Sequence, residues 1–417
     1  MHNQRMIIVG AGECGTRAAF ALREQGYTGE VVLIGDEADY PYERPPLSKQ
    51  ILLEAGEPQP KYIASPEQFT AANIQLLRQQ RVTTLDTERH RVSLADAEGN
   101  TRELAYDKLL LATGTRPRTL PVPGMDDCRH CAYLRTFADA QRIRSALNRI
   151  HHVVIVGGGL IGLELAASAR QLGVEVTVLE ADSRILRRAV PASIAEVIAQ
   201  RHALAGAEIY LNAVIESVQT QADTDTLRVQ LQDGVNLLTE LMVIGIGAIP
   251  NVELAVQAGL EVANGIVVDS RLQTSAADVY AAGDCCAFPL ARNGRVMRLE
   301  TWRNAQEQGN LAARNMLGAN EASSAVPWFW SDQYDLGLQV AGLSSAENQR
   351  VRRQLAEDAF IDFELDTDGR LVAAGGIGPC NTVAKEIRLA EMLIAKGASP
   401  AAEALADCSV NLKKLLR

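Results

Sequence analysis

The chain has 417 residues, 47% of them hydrophobic and 22% charged, with a formal net charge of −10. That length accommodates two or three domains with sizeable cores, and the balance is ordinary for a soluble globular protein. The acidic total argues against wholesale nucleic-acid binding, no apolar run is long enough for a membrane span, and seven irregularly spaced cysteines argue against a disulfide framework. The expectation is a cytoplasmic protein with reduced thiols and no leader ahead of its first strand.

The first apolar run, Met6 to Val9, predicts a buried strand. Gly10-Ala11-Gly12-Glu13-Cys14-Gly15 follows at once as G-x-G-x-x-G, then a helical pattern through Ala18, Ala19 and Leu22. A second strand is predicted over 31–34, with Asp36 and Glu37 where a ribose-binding acid belongs. In such a unit the first glycine permits the tight turn and the second lets the backbone approach a pyrophosphate. The third allows helix and strand to pack, and the helix N-terminus faces the phosphates.

Tyr40 to Lys49 carries three prolines, which predicts a stiff, non-helical segment holding Arg44 and Lys49 in place. A helix is expected over 69–78, and short strands over 82–85, 91–94 and 104–106. A buried strand then ends at Ala112-Thr113-Gly114, and 115–124 reads as a Pro-rich linker.

Beyond the linker the opening pattern recurs. A strand over 153–156 leads into Gly157-Gly158-Gly159-Leu160-Ile161-Gly162, a helix over 163–172, a strand over 174–179 and Glu180 in the ribose position. Two complete copies predict two dinucleotide sites or a duplicated domain. A further strand ends at Gly247, and Val279-Tyr280-Ala281-Ala282-Gly283-Asp284 delivers Asp284 to a ligand edge. The helix over 301–317 has a small-residue face of Ala305, Gly309, Ala312 and Ala313. Alternating apolar residues after Pro327, and a helix over 383–396, predict a third, α+β domain.

Two dinucleotides in one chain suggest electron traffic between them. Glu180 would repel a 2′-phosphate and so favours NADH, while Arg184, Arg187 and Arg188 keep NADPH open.

Gly10–Gly15, Arg44-Pro45-Pro46-Leu47-Ser48-Lys49, Ala112-Thr113-Gly114, Leu134-Arg135-Thr136, Gly157–Glu164, Ala282-Gly283-Asp284 and Glu300-Thr301-Trp302 are spaced as in FAD/NAD-dependent pyridine-nucleotide oxidoreductases. Within them the chain most resembles the ferredoxin reductase components of bacterial aromatic-ring dioxygenases, and putidaredoxin and rubredoxin reductases. The resemblance implies an α/β fold with two Rossmann-like, glutathione-reductase-like nucleotide domains and a C-terminal α+β interface domain. It divides the chain into an FAD domain in two parts, 1–114 and 247–319, an NADH domain over 115–246, and the interface domain over 320–417.

By position, the resemblance assigns FAD to Gly10, Ala11, Gly12, Gly15, Asp36 (or Glu37), Arg44, Lys49, the Val82 backbone, Ala112, Thr113, Gly114, Arg135, Gly247, Gly283, Asp284, Glu300, Thr301 and Trp302. NADH would be held by Gly157, Gly159, Leu160, Ile161, Gly162, Glu164 and Glu180. Lys49 and Glu164 would form an ion pair beside flavin N5 that positions the nicotinamide. Hydride then passes without a protein acid or base.

The acceptor is read from cysteine placement. No cysteine lies in 40–49, where disulfide reductases, coenzyme A disulfide reductases and NADH peroxidases carry theirs. Cys128 and Cys131 make a C-x-x-C outside that segment, read here as non-catalytic. No second pair stands at zinc spacing, and no metal site is expected. Cys14, Cys285 and Cys286 read as buried fillers. That leaves single-electron delivery to a [2Fe-2S], Rieske-type ferredoxin, with Arg292, Arg295, Arg298 and Arg303 as candidate docking cations, by a monomer or homodimer. The alternatives are an NADH-dependent reductase of oxygen, quinone or monodehydroascorbate, and an NADH-sensing flavoprotein of the apoptosis-inducing-factor type.

Overall fold

The computed structural model describes residues 4–126, 128–221, 223–291 and 294–416. It resolves into two compact units.

One unit comprises Met1–Glu43, Pro60–Arg116 and Ala248–Ala325. Its centre is a five-stranded parallel sheet in the order Val279–Ala281, Lys108–Leu111, Arg5–Val9, Glu30–Ile34, Ile74–Leu77. Ile7 pairs with both Val32 and Leu109, and all three are fully buried. Continuous apolar strands are what a parallel sheet covered on both faces requires. Helix Glu13–Glu24 packs beside helix Trp302–Met316, where a Cβ on Gly309 would stand 2.4 Å from the Cys14 carbonyl oxygen. The small-residue face is therefore a close helix contact. A three-stranded antiparallel sheet, Gln80–Asp86, Arg91–Asp96 and Thr101–Ala105, completes the segment before Lys108.

The helix expected over 69–78 is corrected to two elements. Ser65 caps a helix at Pro66–Ala71, Asn73 takes a positive φ of 51°, and Ile74–Leu77 is a strand. A short apolar run suits either element, and pairing with Glu30–Ile34 decides it.

The second unit comprises Arg44–Gln59, Pro117–Gly247 and Val326–Arg417. Its parallel sheet runs Ala207–Leu211, Glu175–Glu180, His152–Val156, Leu241–Ile244, Cys131–Tyr133. The register of His152–Val156 on Glu175–Glu180 repeats that of Arg5–Val9 on Glu30–Ile34. The same unit holds a five-stranded antiparallel sheet in the order Trp328–Gln333, Leu336–Gly342, Leu371–Pro379, Ala359–Leu365, Gln349–Ala356. Helix Ala384–Ala395 lies on it, its Ile387 side chain close to Gly376, where any Cβ would crowd it.

The proline-rich segment, expected to be non-helical, is corrected in its second half. Pro45–Ser48 is a 3₁₀ turn and Gln50–Leu53 a helical turn, since proline at the first positions of a helix gives up no bonded N–H. Cys128 and Cys131 are joined by a disulfide, which corrects the expectation that all thiols are reduced. The Cys131 N–H donates to the Cys128 carbonyl at 3.0 Å, and this turn brings the two Cα atoms to 5.3 Å, inside bridging range.

Candidate active site

The two G-x-G-x-x-G segments fold alike. Gly10 and Gly157 have φ of +110° and +108°, and a Cβ on either would strike a carbonyl oxygen, Ala112's at 2.1 Å or Gly245's at 2.5 Å. Gly15 and Gly162 sit against the carbonyls of Gly10 and Gly157, at 1.9 and 2.1 Å from an added Cβ. Gly12 and Gly159 differ from both, because a Cβ there would meet nothing within 4 Å. Each is the N-cap of a 12-residue helix and makes no side-chain capping bond. Free N–H groups, the positive end of a helix dipole and open space beside a glycine fit a bound pyrophosphate in each unit.

In the first unit, Gly10 N–H donates to the Ile34 carbonyl (2.8 Å) and Ala112 N–H to that of Val9 (2.8 Å). Thr113 is tied to Asn251 in both directions, Oγ1 to the Asn251 carbonyl (2.7 Å) and Nδ2 of Asn251 to the Thr113 carbonyl (2.8 Å). Asn251 N–H reaches Gly114 (3.0 Å). These bonds fix the Ala112-Thr113-Gly114 turn beside Gly10. Gly283, at φ +79° against Cys14, donates to Gln308 Oε1 at 2.7 Å, which sets Asp284 in a short 3₁₀ turn. Thr301 caps helix Trp302–Met316 by accepting from Asn304 N–H at 3.2 Å, so Trp302 occupies the first helical position. The amide Nε2 of Gln308 and Oε2 of Glu13 are buried with no hydrogen-bond partner among the described residues, as donors and acceptors left for a ligand would be.

The first-unit acid is not where strand symmetry puts it. Glu180 is the residue after Leu179, and in the matching register Gly35 follows Ile34. Asp36 lies one residue further on, exposed and paired with Arg81 at 3.2 Å, while Glu37 accepts from the Tyr42 hydroxyl. Gly35 is there because its Cα packs on Ala11, whose Cβ would be 2.7 Å from an added methyl. Val82 is buried, paired with Leu94.

In the second unit, Glu180 accepts from Gly158 N–H (2.7 Å) through Oε2 and from Asp182 N–H (2.8 Å) through Oε1. Arg184 donates to the carbonyls of Ile185, Arg187 and Val190, and Arg187 pairs with Asp182 at 2.6 Å. Arg184 is committed inside the chain, whereas the Arg187 pair lies at the surface and Arg188 is exposed. Leu160 opens the nucleotide helix and Ile161 is 54% exposed on its first turn, an apolar side chain presented beside the open glycine. Gly247, at φ +107°, accepts from Arg118 N–H at 2.9 Å, and Arg44 donates to the Arg135 carbonyl beside the capping box of helix Phe137–Leu147.

Lys49 and Glu164 meet. The ammonium lies 2.9 Å from Glu164 Oε1; the carboxylate side chain is 7% exposed and the lysine side chain 22%. Ser48 Oγ donates to Glu164 Oε2 at 2.5 Å, and Ser331 Oγ donates to Oε1 at 2.6 Å. Ser168 Oγ in turn donates to the Ser48 carbonyl at 2.8 Å. A buried carboxylate with three partners can be held in one orientation, and its lysine keeps one side toward solvent. Ser48 was already visible in the Arg-Pro-Pro-Leu-Ser-Lys run. Ser331 carried no such signal, being the first of three polar residues, Ser331, Asp332 and Gln333, that end strand Trp328–Gln333.

Among the docking candidates, Arg292 lies outside the described residues. Arg298 is braced internally, its side chain 9% exposed and bonded to Glu300 and the Asp284 carbonyl. Arg303 pairs with Glu307 at 3.0 Å, and Arg295 is exposed. Burial pushes the thiols of Cys14, Cys285 and Cys286 up, so they stay protonated. Among the described residues, no group of three or more potential ligands could hold a metal, and no helix is long and apolar enough to cross a membrane.

The pyridine nucleotide-disulphide oxidoreductase model matches residues 4–309 and a reductase C-terminal model matches 328–416. The chain is 40% identical to the anthranilate 1,2-dioxygenase system ferredoxin–NAD(+) reductase component of Burkholderia cepacia, over 98% of both chains. It is 39% identical to the putidaredoxin reductase of Pseudomonas putida, over 88% of this chain and 87% of the other. Its fold superposes on the ferredoxin reductase for the CYP199A2 system of Rhodopseudomonas palustris with a TM-score of 0.92, at 36% identity, covering 100% of each chain. A crystal structure of a covalent putidaredoxin reductase–putidaredoxin complex matches with a TM-score of 0.92 and 36% identity, over 99% of this chain and 98% of that one. The chain belongs to the pyridine nucleotide-disulphide oxidoreductase family.

Proposed function

We propose that this family member is an NADH:ferredoxin oxidoreductase that serves an aromatic-ring-hydroxylating dioxygenase, with FAD on the first glycine motif and NADH on the second. The observation that carries the reading is the matched geometry of the two motifs, each with an uncapped helix N-terminus beside a glycine that faces open space. The relatives named as ferredoxin–NAD(+) reductases support the acceptor class. Segments 1–114 and 247–319 would bind FAD, 115–246 would bind NADH, and 320–417 would form the interface domain.

When bound, the two nucleotides supply the chemistry: a hydride leaves the nicotinamide for the flavin, which then releases its two electrons singly. The chain's part is placement. Gly12 and Gly159 admit the pyrophosphates, and Asp36 or Glu37 would take the FAD ribose. Asp284 would accept from the ribitol, and Trp302 would pack on the isoalloxazine, with Glu300 and Thr301 holding the segment that leads into it. The N-terminus of the Trp302 helix would lend its positive end to negative charge on that ring. Lys49, held by Glu164, would present its exposed side to the nicotinamide. Glu180 would place a negative charge at the adenosine ribose of the second nucleotide, which favours NADH over NADPH, although Arg188 is exposed nearby in the chain.

No redox cysteine lies in 40–49, so electrons would leave without a dithiol. The partner would be an acidic [2Fe-2S] ferredoxin, docked through the arginines near Trp302; Arg295 and Arg303 are better placed than the internally braced Arg298. The test is flavin reduction by NADH in the purified protein, followed by mixing with ferredoxin. Rapid reoxidation by ferredoxin and slow reoxidation by oxygen support the reading. Faster turnover with oxygen or quinone than with any ferredoxin would replace it with the small-acceptor reductase.

A further inference from the structure

Glu164 is the end of a buried hydrogen-bond chain that runs into the C-terminal sheet. Ser331 Oγ lies 2.6 Å from Glu164 Oε1, Gln333 Nε2 lies 3.1 Å from Ser331 Oγ, and His202 Nε2 lies 2.9 Å from Gln333 Oε1. The Tyr334 hydroxyl lies 3.2 Å from His202 Nδ1. Glu164, Ser331, Gln333 and His202 are 6%, 1%, 3% and 0% exposed.

The carboxylate settles the direction of every bond. Paired with Lys49 it only accepts, so Ser331 must donate to it. Ser331 Oγ then accepts, which turns the Gln333 amide nitrogen toward it and leaves Oε1 facing the imidazole. An oxygen there requires His202 to carry its proton on Nε2. Nδ1 is therefore the acceptor, and the Tyr334 hydroxyl donates to it. Four donors in series point at one carboxylate, and bonds aligned this way polarise one another. Burial, which lowers the His202 pKa, agrees with a neutral ring.

The chain is supplied from two places. Ser331 and Gln333 are alternate residues of strand Trp328–Gln333 and share its inward face, while His202 comes from helix Ala192–Leu204. Tyr334 is held just past the strand at φ 55°, with the Arg201 guanidinium 4.3 Å from its ring centre and Arg201 bonded to Asp335 at 2.6 Å.

We propose that Ser331, Gln333, His202 and Tyr334 are positioning residues that lock the Glu164 carboxylate toward Lys49, and so make the alignment for hydride transfer depend on the C-terminal sheet. This rests on the assignment of Lys49 and Glu164 above. The tests use the flavin-loaded protein. Stopped-flow reduction by NADH and by NADH deuterated at C4 reads the hydride step, and titration with NAD⁺ reads binding. ¹⁵N-histidine NMR reads the tautomer in the unaltered chain.

Ser331→Ala should slow flavin reduction about tenfold and raise the isotope effect, with NAD⁺ affinity changed less than threefold and ferredoxin reduction by prereduced enzyme unchanged. Ser331→Thr should restore the rate, and Gln333→Leu should slow it as Ser331→Ala does. The His202 signals should show a protonated Nε2 and a bare Nδ1. If Glu164→Gln slows the hydride step while Ser331→Ala and Gln333→Leu do not, the chain has no such role and the site assignment stands. If Glu164→Gln changes nothing, the assignment itself falls. Should Ser331→Ala fail to fold, the tautomer decides: a proton on Nδ1 overturns the chain, and one on Nε2 supports it.

Discussion

Two glycines of the second nucleotide motif, two residues apart, should respond in opposite ways to the same methyl group. Gly157 has φ +108°, and an added Cβ would lie 2.5 Å from the Gly245 carbonyl oxygen. Alanine there combines a disfavoured backbone conformation, about 1–2 kcal/mol, with forced displacement of packed backbone, about 1–3 kcal/mol. Gly157→Ala should therefore lower stability by about 3 kcal/mol, or roughly 10 °C in melting temperature for a unit this size. Gly159 has φ −83° and ψ 179°, which any residue adopts, and its Cβ would meet no protein atom. Gly159→Ala should keep its melting temperature within about 2 °C, since an unstrained alanine for glycine changes stability by under ~1 kcal/mol. Its methyl would fill the space left for a pyrophosphate and cost at least one charge-assisted bond, about 1.5–3 kcal/mol, hence a loss of NADH affinity of ~10- to 100-fold. Differential scanning fluorimetry and calorimetric titration with NADH separate the two quantities. If Gly159→Ala binds NADH as tightly as the unaltered chain, that space is not the pyrophosphate site.

Glu180→Ala should narrow the preference for NADH over NADPH by at least tenfold in kcat/KM, since one removed charge repulsion is worth about 1.4 kcal/mol or more near a ribose phosphate. If docking is electrostatic, ferredoxin reduction should slow as salt rises from low to physiological strength while flavin reduction by NADH does not; equal salt responses would remove the basic patch from the account. Cys128→Ser with Cys131→Ser should leave flavin bleaching by NADH unchanged, and a loss of bleaching would make the disulfide part of the reaction. His202 is buried and its pKa is lowered, so the unfolded chain binds a proton that the folded chain does not. Its contribution to stability is complete above the ordinary imidazole value of 6.5 and is lost as pH falls below it. Unfolding free energies measured between pH 7.5 and 5.5 should slope less in His202→Gln than in the unaltered protein.

The parts of the site that lie within one βαβ unit were legible in sequence, because a glycine turn, a helix start and a strand end are local events. The Gly10 and Gly157 turns belong to this class; the small-residue face of the helix over 301–317 was legible from its own spacing, while the Thr301 cap was not read. What spacing could not show was which distant residues close on a carboxylate. Ser331 reaches Glu164 across 167 positions and Gln333 reaches His202 across 131, contacts that no local pattern encodes. Residues 69–78 were misjudged because a run of apolar residues fits a helix or a buried strand alike, and the pairing with Glu30–Ile34 that selects the strand is not local. Arg298 read as a surface cation because charge suggests exposure; its side chain is instead a brace between Glu300 and Asp284. The Cys128–Cys131 bond depended on a turn whose closure the spacing allowed but did not require.

The central claim is that two nucleotides are held in one chain and that electrons enter in pairs and leave singly. Rapid mixing of the flavin-loaded protein with one equivalent of NADH, followed by excess [2Fe-2S] ferredoxin, tests it most directly. Bleaching of the flavin with a primary deuterium isotope effect, then reduction of two ferredoxins per NADH, is the predicted result. Bleaching that requires Cys128 and Cys131, or one ferredoxin reduced per NADH, would contradict it.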